Sequence, residues 1–573
     1  MVQQFSYALD VSDCCNQAGD RSVRDECAQL ERASHYAVVL REDTAVCVSE
    51  GSKAPENGDD QHNTLLLRMA PRARQVEAEV TQRLKSVFSQ LIEGPRSSFD
   101  PIALASCLRA FDLLKCGKEA EGQFSQVMLQ PFIDHHFTPG QLDGGGGRGS
   151  CEGLAEILRL LLEHLRANSE ALVLAEEMFF STDGTEGSID FICNSVWRVI
   201  QRGLVTRLGS IFSSGIASLI HRNYTTSMQF VDGLAGLCGQ RNRSRVSQRL
   251  ARHEAMAEFR GLWNLPVYAQ LRAAEISGGI DAVLADPSSA TCQVASVFDM
   301  PEVDQVWVAL QTCWKADVFL QPLADRFLRL SLQILNCLRV WASSGGGGTN
   351  RSPEQLVQVA WNVHLLVGKL KGEFTSLTWK TLEENGLPQR AGDLVESALG
   401  EAIESCESIA PELWKAIVSH IAGQCATILQ AVKGITATYR MTNKRAPDRA
   451  SPFVKNITRP LREFEREWGS RAPPSVRDTW VQEVALLVTQ KYSELLRNLL
   501  DTVHQMEQAL QKRKTKVKKS SDGATDTEKI VMQLNLDAQD FGTELADLGV
   551  ALPECTAFQD IKSLIAAECE NKR

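Results

Sequence analysis

Residues 263–284, WNLPVYAQLRAAEISGGIDAVL, contain the clearest helix start in the sequence. Asn264 can cap a helix, and Pro266 fixes the backbone angle φ in the first turn, where an amide N–H has no partner in any case. Apolar residues then recur at close to helical spacing, at Tyr268, Leu271, Ile276, Ile280 and Leu284. No charged or thiol group here is placed for chemistry, so the stretch predicts a long amphipathic helix that packs in a bundle.

Similar start signals and spacings recur along most of the chain. Asp100 before Pro101 predicts a capped helix, and residues 352–355, SPEQ, have the form of a capping box with proline at the first helical position. The most regular apolar face consists of Leu154, Ile157, Leu158, Leu161, Leu162 and Leu165. Because helical spacing dominates in this way, the sequence predicts an all-α fold.

With 573 residues, the chain is too long for one compact core, so we expect two to four domains or one extended stack of helices. Composition changes suggest the boundaries. The predicted regions are an atypical or poorly ordered N-terminal segment at 1–63, a first helical-bundle region at 64–342, a Gly/Ser linker at 343–351, a C-terminal helical-bundle region at 352–519, and a linker with terminal helices at 520–573. The run SSGGGGTN, within the Gly/Ser linker, is the clearest boundary of the set.

A second glycine run, GGGGRG at 144–149, raises the question of a phosphate-binding loop. A Walker A loop needs a lysine directly before the Ser or Thr, but here Gly149 precedes Ser150, and no strand-like run comes before it. The sequence therefore favours a flexible linker.

Charge argues against nucleic acid as a main partner. The chain has 61 basic and 71 acidic residues, a formal net charge of −10, whereas phosphate binding needs a basic surface. The basic run at 239–253 lacks interleaved aromatic residues, which favours a solvated helix face or connector over an RNA site. The run KRKTKVKK at 512–519 is compatible with nuclear import or an anionic membrane, but a basic helix end is the commoner explanation.

Cysteine usage indicates a reducing, cytosolic compartment. The 16 cysteines are spread along the chain without any C-x-x-C pair, and several are predicted to be small buried hydrophobic residues. These are Cys107, Cys193, Cys313, Cys337 and Cys425. The N-terminus lacks the pattern of a signal peptide, and no apolar stretch is long enough to span a membrane.

No catalytic motif is present. The text closest to H-E-x-x-H is His253-Glu254, with Ala257 at the position of the second histidine. His135 and His136 have no acidic or thiol cluster around them, so a surface position is favoured over a metal site. We therefore predict a protein that is not an enzyme, with no catalytic, cofactor-binding or metal-binding residues.

The C-terminal half contains a heptad-like seam whose positions are three or four residues apart. Its members are Val484, Val488, Tyr492, Leu495, Leu499, Val503, Met506 and Leu510. The seam can pack internally, which is the safer interpretation, or pair with a partner helix. From the second possibility comes the hypothesis that these C-terminal helices form a docking surface.

Several stretches together resemble one family, subunit two of the conserved oligomeric Golgi (COG) complex. They occur in the family's order, from about residue 64 to 573. They are CLRAFDLLKCGKEAEGQFSQVMLQPFID (107–134), FICNSVWRVIQRGL (191–204), NYTTSMQFV (223–231), WNLPVYAQLRAAEI (263–276), YRMTNKRAPDRASPFV (439–454) and DTEKIVMQLNLDAQDFGTELADLG (526–549).

The resemblance implies an elongated stack of helical bundles, as in multisubunit tethering complexes, without enzymatic activity or cofactor. It implies a peripheral location on the cytosolic face of Golgi membranes and a role in capturing retrograde transport vesicles. The implied partners are the other COG subunits and, through them, SNAREs, Rab GTPases and coiled-coil tethers. A cytosolic all-helical scaffold or adaptor outside the Golgi is the alternative, but the internal repeat of a solenoid is not evident.

One part of the chain departs from the family pattern. The family begins with a segment rich in phenylalanine and acidic residues that leads into a long coiled coil, through which the subunit joins its lobe. Residues 1–63 do not resemble that segment. A fragment, a mispredicted start or a short isoform would each explain the difference, and assembly would then depend on the remaining helices.

Overall fold

The computed structural model describes residues 22–50, 60–93, 99–180, 187–213, 215–286, 296–343, 352–440, 442, 444–472, 474–512 and 524–570. Throughout these residues the regular elements are helical, which confirms the predicted all-α class. The chain divides into two compact units, Met1–Leu271 and Arg272–Arg573. The division falls within one helix.

The helices of the first unit are mostly short and amphipathic. They are α1 (Val23–Glu50), α2 (Asp60–Glu93), α3 (Pro101–Leu113), α4 (Gly117–Phe124), α5 (Gln130–His136), α6 (Pro139–Asp143), α7 (Leu154–Ala167), α8 (Glu170–Phe179), α9 (Arg198–Arg207), α10 (Ala217–Ala235), α11 (Gln240–Arg252) and α12 (Glu254–Leu262). The next helix, α13 (Leu265–Ala285), contains the division between the two units. Two π-helical turns, Ser125–Leu129 and Phe191–Trp197, and a 3-10 turn, Gly209–Phe212, join some of them.

The second unit contains longer helices. They are α14 (Pro301–Cys313), α15 (Ala324–Ser343), α16 (Pro353–Lys369), α17 (Thr375–Glu384), α18 (Gln389–Glu407), α19 (Ile409–Leu429), α20 (Gly434–Tyr439), α21 (Val454–Ile457), α22 (Arg459–Trp468), α23 (Pro474–Lys512), α24 (Asp526–Asp547) and α25 (Thr556–Glu570). Its irregular helical turns are Gln321–Leu323, Leu370–Phe374, Gln430–Lys433 and Gly469–Arg471.

Helix α13 contains most of the predicted long amphipathic helix at 263–284. The Asn264 side chain accepts a hydrogen bond from the Val267 N–H at 3.3 Å, which confirms the predicted cap. Tyr268 and Ile276 are buried, but Leu271 is 36% exposed. At 100° per residue, Leu271 lies about 140° around the helix from Ile276, so the apolar positions do not form one continuous stripe.

Helix α1 is the main element that the sequence analysis missed. Residues 1–63 were predicted to be poorly ordered or atypical, yet Val23–Glu50 is helical and packs on α2 and α3. Cys27 and Leu30 are fully buried there, and Glu26 forms a 2.6 Å ion pair with Arg83. Apart from Leu30, the buried apolar residues of α1 are small, so its helical period is weak in the sequence.

The glycine run at 144–149 is a tight turn between α6 and α7, which corrects the predicted flexible linker. The Gly149 N–H donates to the Asp143 carboxylate at 2.9 Å, and the Ser150 hydroxyl donates to the Asp143 carbonyl at 3.1 Å. Gly144 and Gly149 have φ values of 58° and 84°, a region that glycine occupies without strain. Asp143 therefore holds this turn in place.

Segments on both sides of the predicted linker at 343–351 pack into one core. The Asp299 N–H donates to Asn362 at 2.9 Å, and the Thr381 hydroxyl donates to the Trp314 carbonyl at 3.1 Å. The observed division at Leu271 therefore differs from the predicted boundary. Residues 344–351 lie outside the described residues, so a linker there stays a prediction.

The heptad-like seam of α23 packs internally. Val484, Val488 and Tyr492 are at most 2% exposed, and their helix lies against α19 and α25. Of the remaining positions, Met506 is 45% exposed, whereas the burial of Leu510 is not described. The buried positions of the seam are covered by the chain itself, which confirms the internal packing that the sequence favours, whereas docking of a partner on the C-terminal helices stays a prediction. The basic residues at 513–519 lie outside the described residues.

Candidate interaction surfaces

The described residues show no arrangement that points to catalysis. Among them, no three His, Cys, Asp or Glu side chains are grouped so that they could hold a metal ion. His135 is exposed at the end of α5, and the ring of His136 packs on Phe132 with centroids 4.3 Å apart. Within the same residues, no helix is long and apolar enough to cross a membrane.

A buried ion-pair network lies at the centre of the first unit. Glu176 of α8 is 2% exposed and accepts hydrogen bonds from two arginines of α11. Arg249 donates to both of its carboxylate oxygens, at 2.9 and 2.7 Å, and Arg245 donates at 3.0 Å. The Arg249 guanidinium also donates to Asp190 at 3.0 Å and lies 3.5 Å from the centroid of the Phe180 ring.

This network continues into the turn at Phe191–Trp197. Asp190 accepts the Cys193 N–H at 3.0 Å, while the Asp190 N–H and the Asn194 amide both donate to Glu121, at 2.8 and 2.7 Å. Burial raises the pKa of Glu121 above its ordinary value, although these donors oppose the shift. The carboxylates thus fix the backbone of the turn relative to α4 and α11.

The basic run at 239–253 is therefore only partly a solvated face. Arg245 and Arg249 point into the ion-pair network, and Val246 and Leu250 are buried. The sequence pattern gave no indication of this role, since Glu176 lies 73 residues from Arg249. The prediction for Cys337 is also corrected: this residue was predicted to be buried, but it is exposed.

In the second unit, the non-helical segment 444–453, which we call the strap, lies along one side of α24. Its backbone is held by buried polar side chains of that helix. Lys529 donates to the Lys444 carbonyl at 2.5 Å, and Gln533 donates to the Arg449 carbonyl at 3.1 Å. Asp537 accepts the Ser451 N–H at 2.6 Å.

These α24 positions are four residues apart, so they form a ladder along one side of the helix. Asp537 is fully buried, and burial raises its pKa above the ordinary value of 3.8, although the hydrogen bonds from Ser451 and Gln533 oppose the shift. The Tyr439 hydroxyl adds a further contact, donating to Gln533 at 2.7 Å. The ladder provides hydrogen-bond partners for backbone groups of the strap, which belongs to no helix or sheet that could pair them.

Helices α17 and α18 enclose a groove of about 300 Å³, which we call the α17–α18 groove. Its floor is apolar, with Trp379 and Leu382 on α17 facing Leu399 and Ile403 on α18. At the end near the start of α18, a Cβ atom on Gly392 would lie 2.6 Å from the Trp379 ring, so only glycine allows the two helices to come this close.

Carboxylates form the rim of the α17–α18 groove. Glu396, Glu404 and Glu407 all belong to α18, and the far end is crossed by a 2.7 Å ion pair between Glu407 and Lys371. Glu396 and Glu404 are exposed and make no ion pair or hydrogen bond with any side chain that the structure describes. The groove thus combines an apolar floor with two carboxylates that are free to bind.

Comparison with known proteins identifies relatives of this chain. The profile of the family described as COG complex component, COG2, C-terminal, matches residues 262–538. Subunit 2 of the human conserved oligomeric Golgi complex is 28% identical over 555 residues, covering 88% of this chain and 73% of the human one. The chain is thus similar to COG subunit 2 along most of its length, and its residues 262–538 match the C-terminal region of that family.

Two further relatives align over similar lengths. Subunit 2 from Arabidopsis thaliana is 29% identical over 82% of this chain and 65% of its own length. The Drosophila melanogaster subunit is 24% identical over 86% of this chain and 71% of its own. Both the strap and the α17–α18 groove fall within the matched COG2 C-terminal region, whereas the ion-pair network precedes it.

Proposed function

We propose that this protein is a non-enzymatic subunit of a Golgi vesicle-tethering complex of the conserved oligomeric Golgi type. It would act in retrograde transport within the Golgi and so help to maintain Golgi organisation and glycosylation. The observation that carries the proposal is the similarity to subunit 2 of three organisms over 82% to 88% of the chain. The all-helical fold supports it, because helical bundles offer long side surfaces for neighbouring subunits.

The partners in this proposal are the other subunits of the complex. SNAREs, Rab GTPases and coiled-coil tethers would be reached through them. The protein would be peripheral, on the cytosolic face of Golgi membranes, and its attachment would come from the complex. Nucleic acid is not a proposed partner, given the net charge of −10.

Affinity purification from cells tests the proposal. The full chain, tagged and expressed at its natural level, is isolated under gentle lysis, and the recovered proteins are quantified by mass spectrometry. We expect the other subunits of the Golgi complex in fixed proportion to the tagged chain. Recovery of a different, reproducible set of proteins would instead identify a scaffold outside the Golgi. A folded chain that recovers no complex subunit would also contradict the proposal.

A functional readout complements the purification. In cells depleted of their own subunit 2, expression of the full chain should restore normal lectin staining of surface glycans and a compact Golgi. Expression of a chain that folds, shown by circular dichroism, but leaves both defects unchanged would argue against a role in retrograde transport.

A further inference from the structure

The α17–α18 groove remains open among the described residues. Its volume of about 300 Å³ is at the small end of the range for binding pockets, so it can take large apolar side chains but not the backbone of another helix. Trp379 provides a broad aromatic surface in the floor. Aromatic side chains of this kind often anchor protein interfaces.

The rim determines which charge a partner must carry. Glu396 and Glu404 are eight residues apart, which corresponds to about 12 Å along a helix. They present two negative charges at one edge of an apolar floor, without compensation from described side chains. An anionic lipid headgroup or a nucleic acid would be repelled by these charges, whereas lysine and arginine would be attracted.

The shape favours a helix as the occupant. The groove runs between two helices, and a third helix can place its own ridge of side chains into such a channel. An extended peptide usually binds by pairing with a free strand edge, and the described residues contain no strand.

We infer that the α17–α18 groove binds an amphipathic helix of another protein. The partner helix inserts a large apolar side chain beside Trp379 and places lysine or arginine side chains seven or eight residues apart, facing Glu396 and Glu404. This surface is additional to the proposed function and does not depend on it, because it follows from the groove alone.

Site-specific photocrosslinking in cells tests the inference. Gly400 lines the groove, and a Cβ atom added there meets nothing within 4 Å, so a compact diazirine-bearing amino acid can be attached at this position and leaves room in the groove for a partner side chain. Gly423 of α19 is the control: it is also helical and unobstructed, but it is exposed rather than half-buried and does not line the groove.

The crosslinked peptides are then sequenced by mass spectrometry. We expect position 400, but not 423, to crosslink to a segment of a second protein that has an apolar helical face and two basic residues seven or eight apart. Glu396→Lys with Glu404→Lys should lower the yield at least tenfold. Glu401→Lys, an exposed change elsewhere on α18, should leave it unchanged.

The other outcomes would overturn the inference. These are equal crosslinking from both positions, a crosslink to this same chain, a partner segment without the basic pair, no crosslink, or a yield that is insensitive to the double charge reversal. Glu396→Gln with Glu404→Gln provides a milder second variant, for which we expect a smaller loss. Circular dichroism confirms that each variant is folded.

Discussion

Glu176 shows how much one buried carboxylate can hold together. It is 2% exposed and receives hydrogen bonds from Arg245 and Arg249, so its negative charge is the counter-charge for both guanidinium groups. Such a pair is weak evidence for net stability, because desolvation offsets the attraction. Removing one partner is different, since the remaining charges lose their compensation.

Glu176→Gln should therefore destabilise the first unit. We expect the free energy of unfolding to fall by about 3 kcal/mol, the lower end for a broken buried pair, because both arginines keep some contact with water. Differential scanning calorimetry of the full chain measures the effect as a lower transition temperature. The neighbouring exposed residue gives the control: Glu177→Gln should change little. Equal effects of the two changes would contradict the assigned role.

Two tyrosines of the second unit make a contrasting pair. Tyr492 is fully buried, and its hydroxyl has no hydrogen-bond partner among the described residues. Tyr439 is also buried, but its hydroxyl donates to Gln533. An unmade hydrogen bond leaves the desolvation cost of the group uncompensated, whereas a formed one contributes about 1 kcal/mol.

We therefore expect opposite results from the same chemical change. Tyr492→Phe should leave the stability of the second unit unchanged or raise it by up to about 1 kcal/mol, and Tyr439→Phe should lower it by about 1 kcal/mol. Urea denaturation of both variants beside the unchanged chain measures the two differences. A larger loss for Tyr492→Phe than for Tyr439→Phe would show that these hydroxyls had been assigned wrongly.

Single residues that act on their own neighbours were predictable from the sequence. Asp100 accepts the N–H groups of Ile102 and Ala103, and Ser352 forms the capping box with Gln355 that the sequence predicts. Both motifs lie within four residues. The partners of Glu176 lie about 70 residues away, so only the fold could identify them.

The same distinction applies to whole helices. The regular face of α7 is confirmed, since Leu154, Ile157 and Leu161 are all buried. Helix α1 was missed because its contacts come from small side chains and from ion pairs with distant residues, such as Arg109 with Glu31 at 2.7 Å. The sequence of the strap resembles the COG subunit 2 family, but it does not predict that the strap packs on α24. A segment without regular structure has no hydrophobic period from which a buried face could be predicted.

The strap should loosen when the α24 ladder is broken. Gln533 bonds to the strap, to Tyr439 and to Asp537, so Gln533→Ala removes the centre of the ladder. We expect trypsin to cleave after Arg445 or Arg449 about tenfold faster in this variant, because local opening becomes easier by about 1.4 kcal/mol.

Limited proteolysis with mass spectrometry measures this rate in the native full chain. Gln539→Ala is the control, because Gln539 is exposed on the same helix and its side chain makes no described contact with the strap. If trypsin cleaved both variants at the same rate as the unsubstituted chain, the ladder would not hold the strap in place.

Packing, rather than composition, determines where the chain divides into folding units. The sequence places the clearest boundary at the glycine run of residues 343–351. Helices α15 and α18 lie on opposite sides of that run in the sequence, but in the structure they pack against each other. The Cys406 thiol lies 3.7 Å from the Leu335 carbonyl. Composition shows where the chain becomes rich in glycine and serine, but it does not show which helices share a core.

The two views predict different results when the chain is cut. With a specific protease site inserted between Gly346 and Gly347, we expect cleavage to leave both pieces associated, because the core of the second unit includes Trp314 and Leu335 from one side and Thr381 and Cys406 from the other. Size-exclusion chromatography of the cleaved protein should give one peak at the position of the intact chain. Separation requires exposing the buried faces of α15 and α16, so it should occur only together with unfolding in denaturant. Two folded fragments eluting apart in native buffer would place the boundary at the glycine run after all.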